Sequence, residues 1–441
     1  MSLARPSLAS NHPAQPLGGD VRMPGDKATS HHALLLAAFA VGESRLIGLP
    51  EHDDVLRMAS ALRALGAEVI AEAPGTWRVV GRGVGGLREP GSVLDMGNSG
   101  TAARLICGAL ASHDLFATVT GTASLRRRPM RWMTDMLQDC GARFHGPADA
   151  WLPLAVQGAR SAMPIERRLS IQTAPGKSAL LLAGLNAPGW TRIAEAMPTC
   201  DHAVRLLRHF GASVTVEPCG DGCMTSVMGQ PELRAADLTV PGDPSLAVLP
   251  LLAALIVPGS AVTIRGVAMD PQRAGLFAAL RDMGAHLEIT CERLEGGGPV
   301  ADMTATYTGL RGADLPTARA GSMAAGDPIL AVAAACATGP TRMEGRTALR
   351  ADGSLLSAAL AMLRLNGVRV EDAGDGVVVH GVGAAPAGDV RIEAGTPPFA
   401  ALCGLVLSLA SATPARVDAV EIEQDCPGIL ALLRQIGAPL A

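Results

Sequence analysis

Only two of the chain's 37 cationic side chains are lysines, Lys27 and Lys177. Both occupy the same place in two similar stretches, G-D-K-A-T-S-H-H-A-L-L-L and A-P-G-K-S-A-L-L-L-A. Each stretch reads as the opening of a helix of small apolar residues. At that end the helix dipole disfavours a cation and favours an anion by roughly 0.3–1 kcal/mol, so a lysine there points to a bound anion. Around Lys27 the neighbouring Gly25, Thr29 and Ser30 add backbone and hydroxyl donors. For Lys177 a plain surface lysine is an equal alternative, because residues 171–177 read I-Q-T-A-P-G-K and lack the spacing of a phosphate loop. Asn98-Ser99-Gly100-Thr101 opens another helix, which carries Arg104. Arg126-Arg127-Arg128 adds three consecutive cations that cannot all face one site. Several helix openings with cations beside them suggest phosphate or carboxylate ligands.

The elements that must position these residues show up as a repeat. A Leu/Arg-rich helical run ending in Gly-Ala or Gly-Val, followed by alternating apolar residues, recurs six times, at Gly66, Gly141, Gly211, Gly284, Gly367 and Gly437. The copies lie about 70–80 residues apart, a period that marks a repeat architecture. Each glycine is predicted to end its helix in the left-handed conformation before a strand. Each unit also opens with a small-residue helix. Asp243-Pro244, Asp327-Pro328 and Thr396-Pro397 are predicted to place an N-cap before a proline at the first helical position. Gly/Pro turns near 18–25 and 240–243 divide the chain into a first lobe, 22–241, and a second lobe of 1–21 with 242–441, three repeats in each.

Composition narrows the function. A net charge of -4 with 2% aromatic residues argues against a nucleic-acid surface. Hydrophobic residues make up 48% of the chain, yet the apolar run from Phe399 to Ala412 falls short of the roughly 18–20 residues a membrane span needs. Prolines and polar residues interrupt M-S-L-A-R-P-S-L-A-S-N-H-P-A-Q-P, where a signal peptide would be apolar, so a cytoplasmic location is expected. Cys107, Cys336 and Cys403 sit singly in apolar segments as small hydrophobes. Cys219 and Cys223 lack histidine partners, so neither a disulfide framework nor a metal site is expected.

Four stretches then carry a family resemblance: P-G-D-K at Pro24 to Lys27, G-N-S-G-T-A-A-R at Gly97 to Arg104, R-R-P-M at Arg127 to Met130, and K-S-A-L-L-L-A-G-L at Lys177 to Leu185. With them the chain, from about residue 19 onward, resembles the EPSP synthases. The resemblance implies a two-lobe α/β fold of six βαβαββ-type repeats, closing on substrate. It implies transfer of the enolpyruvyl group of phosphoenolpyruvate to the 5-hydroxyl of shikimate 3-phosphate, a step of aromatic amino acid biosynthesis, with no metal or organic cofactor. The expected partners are phosphorylated small molecules, not nucleic acid or membrane, and the expected state is a monomer. By position it assigns Lys27, Gly100 and Arg128 to phosphoenolpyruvate. Lys27, Ala28, His32, Thr173, Ala174 and Pro175 fall to shikimate 3-phosphate.

The chain departs from the family pattern at several of these places. Ala28 and His32 replace a serine and an arginine, and Pro175 replaces a glutamine. In the second lobe the family's catalytic aspartate aligns with Ala325, and its arginines align with Leu355 and Phe399. Proton transfer would then fall to Lys27, Asp352 and Asp327. Two readings follow: an active enolpyruvyl transferase with a rearranged second lobe, or a paralogue that keeps the fold and a phosphate pocket as a binding protein. A UDP-sugar enolpyruvyl transferase fits less well, because no cysteine sits where that family's reactive one would be recognised.

Overall fold

A computed structural model describes residues 7–9, 15–147, 151–169, 173–199, 201–270, 274–316, 326–346, 354–386, 390–393, 395–411, 416–418, 422–423 and 425–440. Its helices are α1 (Lys27–Phe39), α2 (Asp53–Ala64), α3 (Gly100–Ala111), α4 (Ala123–Arg126), α5 (Arg131–Leu137), α6 (Ala174–Gly184) and α7 (His202–His209). These are followed by α8 (Pro244–Ile256), α9 (Ala274–Asp282), α10 (Asp327–Cys336), α11 (Leu355–Leu365), α12 (Pro398–Leu409) and α13 (Ile429–Gln435). None of them is long and apolar enough to cross a membrane.

Contacts divide the chain into two compact units. One comprises Gly25–Val240 with Glu295–Gly298, the other Met1–Pro24, Pro241–Leu294 and Pro299–Ala441. Each is built on a plan that the sequence pattern explains. The small-residue helices are apolar on every side and therefore sit in the centre. In the first unit α1, α3 and α6 form the core with Leu34–Leu36, Leu105, Ile106 and Leu180–Leu182, all enclosed. In the second, α8, α10 and α12 do the same with Leu249, Leu252, Leu330, Leu402 and Leu405. Helices α3 and α6 approach closely, and a Cβ added at Gly108 would run into the backbone of Ala179.

Among the described residues, five four-stranded sheets with one topology lie around these helices. In the first repeat, Leu238–Thr239 runs parallel to Glu43–Ile47, which pairs antiparallel with Thr76–Val80, itself antiparallel to Glu68–Ala73. The opening strand of this repeat comes from the far end of its unit. Gly18–Arg22, which precedes α1, pairs instead with Ala261–Ala268 of the other unit's first repeat. The chain thus passes between units just after both strands, and Asp243 N–H donates to Pro24 C=O at 2.9 Å where these stretches meet. The sixth phrase contributes α12, α13 and a strand, Arg416–Asp418, that pairs with Ser7–Ala9 rather than entering a four-stranded sheet.

All six phrase glycines have φ between 77° and 99°. Each donates its N–H three residues back. After five of them the next residue donates five back, as Ala67 does to Leu62 and Ala438 to Leu433. Those paired bonds form the Schellman closure of a helix, which needs a left-handed residue at that point. The proline openings divide. Asp243 is the N-cap of α8, and its carboxylate accepts from Ser245 N and Leu246 N. At α10 the cap is Gly326, and Asp327 is already helical. At α12 the cap is Pro397. The sequence pattern places the cap one residue late at α10, where the Asp327 carboxylate is used by Arg346, and one residue early at α12, where the Thr396 hydroxyl donates to Glu393 C=O instead.

Candidate functional site

Lys27 is the first residue of α1, behind the N-cap Asp26, whose carboxylate accepts from Thr29 N at 2.7 Å. The Thr29 hydroxyl donates to the same carboxylate and the Ser30 hydroxyl to Asp26 C=O. These two hydroxyls are therefore committed within the helix and are not the open donors expected at Lys27. The Lys27 ammonium is part-exposed and pairs with Asp54 at 3.1 Å.

Lys177 is a different case. It lies in the fourth position of α6 and is almost fully enclosed. Its ammonium meets Glu195 at 2.9 Å, Asp201 at 3.4 Å and Thr199 C=O at 3.2 Å. The surface-lysine and anion-site readings both give way to a buried ion pair inside the third repeat.

Positive charge gathers at the start of α3. Ser99 caps this helix by accepting from Ala102 N. A Cβ placed on Gly100 would lie 2.9 Å from Arg104 Nη1 and 3.1 Å from Arg128 Nη1. Arg104 donates to Gly100 C=O at 3.0 Å, and Arg128 reaches Asn98 Oδ1 at 3.4 Å. Among the described residues neither has a carboxylate partner. Burial, followed by the repulsion of Arg128, lowers the pKa of the Arg104 guanidinium. Two like charges held this close at the positive end of a helix leave a local excess that an anion would neutralise. Within the arginine run only Arg128 turns to this site, and Arg127 donates back to Ala123 C=O.

Trp132 links this corner to α6. The Arg104 guanidinium lies 6.0 Å from its ring centre, and a Cβ on Gly176 would meet the same ring at 2.5 Å. Thr173 is the N-cap of α6, with Ala174 and Pro175 in its first turn, all three half-buried. His32 lies on α1, one turn after half-buried Ala28, and donates Nδ1–H to Ala28 C=O at 2.7 Å. That bond makes Nε2 the lone-pair nitrogen. Burial above all lowers the His32 pKa to about 4, so the ring is neutral near pH 7 and does not replace an arginine's charge.

In the other unit, Asp327 is enclosed and ion-paired with fully buried Arg346 at 3.0 Å. Burial raises its pKa, and the guanidinium opposes the rise. Leu355 opens α11, and Phe399 on α12 packs against the core. Ala325 and Asp352 lie outside the described residues. Sequence reasoning missed Asp54 and Arg346, since nothing local marks either as the partner of a residue 27 or 19 positions away.

The family model described as EPSP synthase (3-phosphoshikimate 1-carboxyvinyltransferase) matches residues 12–427. The 3-phosphoshikimate 1-carboxyvinyltransferase of Granulibacter bethesdensis is 52% identical over 441 residues, covering 99% of this chain and 97% of that protein. Its counterpart in Acidiphilium cryptum is 52% identical over 433 residues, covering 98% and 97%. Among solved structures, an EPSP synthase from Acinetobacter baumannii superposes with a TM-score of 0.90 at 29% identity, covering 99% of both chains.

Proposed function

The chain belongs to the EPSP synthase family, and from that premise we propose that it transfers the enolpyruvyl group of phosphoenolpyruvate to the 5-hydroxyl of shikimate 3-phosphate. The observation that carries the site is the convergence of Arg104 and Arg128 on Gly100, without a carboxylate partner among the described residues. Phosphoenolpyruvate brings a phosphate and a carboxylate. Arg104, Arg128 and the first turn of α3 would take one anionic group. Lys27, released from Asp54, would take the other. Charge-assisted bonds of this kind contribute about 1.5–3 kcal/mol each.

For shikimate 3-phosphate, Thr173 and Ala174 offer the first turn of α6 to the phosphate, with Pro175 against the ring. Ala28 and neutral His32, assigned to the same substrate, would add no charge. In the addition step the acceptor hydroxyl gives up its proton to a base as its oxygen bonds to the substituted vinyl carbon, and the vinyl π bond opens as an acid delivers a proton to the methylene carbon. Elimination then expels phosphate and removes a proton from the new methyl group. Positioned acids and bases contribute about 10²–10⁴-fold to such steps. Lys27 and Asp352 are the proposed proton carriers. Asp327, held by Arg346, supports α10 instead.

Identity of 52% along the whole chain favours the enzyme over a binding-only paralogue. Phosphate release with both substrates tests it. Turnover that needs both, falls at least 100-fold in Asp352→Asn and persists in a folded Asp327→Asn supports this reading. Binding of phosphoenolpyruvate without phosphate release would return the paralogue.

A further inference from the structure

His31 lies one helical turn beyond Lys27 on α1 and is fully enclosed. Its Nε2 is 3.4 Å from Ser99 Oγ, a long hydrogen bond. The same oxygen accepts from Ala102 N at 3.2 Å as the cap of α3. One hydroxyl group thus closes the first turn of α3 and joins it to a ring on α1. Lys27 and Asp54 both act electrostatically on that ring. The imidazole therefore joins the helix that Lys27 opens to the residue just before Gly100. Its Nδ1 has no hydrogen-bond partner among the described residues. An apolar side chain would fill the same space among Leu34, Leu35 and their neighbours without stranding a polar atom, so packing alone does not explain a histidine here.

We propose that His31 is a positioning residue for phosphoenolpyruvate, which through Ser99 fixes the first turn of α3 relative to the Lys27 ammonium. This rests on the anion site proposed above. A ligand with two anionic groups needs two sets of donors at a set separation, and a displacement of about 1 Å at such a site costs on the order of 100-fold in rate. Lys27 and Gly100 belong to different helices, and the His31–Ser99 bond joins the first turns that carry them.

Steady-state kinetics of His31→Leu, His31→Asn, Ser99→Gly and the double variant His31→Leu/Ser99→Gly test this. Ser99→Gly keeps an acceptable N-cap residue while removing the hydroxyl, so it remains informative even if His31→Leu fails to fold. The expected result is a rise of about 10-fold in KM for phosphoenolpyruvate in His31→Leu and Ser99→Gly. The KM for shikimate 3-phosphate should stay within about 2-fold, His31→Asn should recover part of the loss, and the double variant should be no worse than the poorer single one. An unchanged KM for phosphoenolpyruvate in a folded single variant, an equal rise for both substrates, or additive effects would each overturn the role of His31. If phosphoenolpyruvate does not stabilise the wild type against heat, the site reading falls, and this inference with it.

Discussion

In the unit formed by residues 25–240, the central helices α1, α3 and α6 begin with Lys27, Gly100 and Ala174, and positive groups gather at the first two. In the other unit, α8, α10 and α12 begin on the same repeat plan but are satisfied from within. Asp243 takes two amides of α8. Asp327 supplies negative charge at the start of α10 and is neutralised by Arg346. Pro397 and Pro398 remove amide donors from the opening of α12. On the reading proposed above, one backbone plan leaves its helix openings free for anions in one unit and closes them from within in the other, and a few first-turn side chains make the difference, because function resides in the site rather than in the fold.

The comparison breaks most visibly at the arginines. Replacing both Arg104 and Arg128 with alanine should lower kcat/KM for phosphoenolpyruvate by about 10²–10⁴, from two charge-assisted contacts of about 1.5–3 kcal/mol each. The melting temperature should change little, because neither has a carboxylate partner to strand among the described residues. Steady-state kinetics with a thermal melt would show it, and an unchanged kcat/KM would remove the anion site from α3.

Arg346→Leu should do the reverse. Removing one partner of a buried ion pair leaves an uncompensated charge and costs about 3–5 kcal/mol, read as a lower denaturant midpoint. Any folded fraction should still be stabilised by phosphoenolpyruvate. A variant that kept its stability and lost its ligand response would place an anion site in the second unit too.

The two lysines give a sharper contrast within one unit. Lys27→Ala should abolish thermal stabilisation by phosphoenolpyruvate and leave the unliganded melt nearly unchanged, as its pair with Asp54 is part-exposed. Lys177→Met should lower the unliganded melt by stranding buried Glu195. Exchanged outcomes would reverse the assignment.

Residue by residue, the smallest effect on stability concerns pH. Burial lowers the pKa of His31 to about 3 and of His32 and His52 to about 4, from an ordinary 6.5. The unfolded chain therefore takes up protons first as pH falls. Stability is full above pH 6.5 and declines as pH drops toward 4, by about 1–2 kcal/mol per histidine at pH 5. Denaturant unfolding at pH 7 and pH 5 would measure this, and His32→Asn should flatten the slope.

Features set by neighbours in sequence were legible from the chain alone. The six helix ends could be named because a Schellman closure is a five-residue event that needs a left-handed residue, and glycine marks it. The central helices could be named because they are apolar on all sides, and Lys27 could be singled out as an anion-site candidate because a cation at a helix start is unusual. Asp327 and Thr396 were misplaced by one residue at their helix starts, where a cap depends on whether the side chain is needed elsewhere.

By itself the sequence determined the repeat, the glycines that close its helices, its buried helices and the family to which it belongs. All of these are encoded in short-range pattern and in long stretches of shared residues. Only the tertiary structure decided which charges are available. It enclosed Lys177 with Glu195 and left Lys27 part-exposed beside Asp54; it turned Arg104 and Arg128 onto one glycine; and it matched Asp327 with Arg346. Those pairings join residues from different elements, and whether a charge is neutralised depends on what packing brings within a few ångströms of it, which spacing along the chain does not specify.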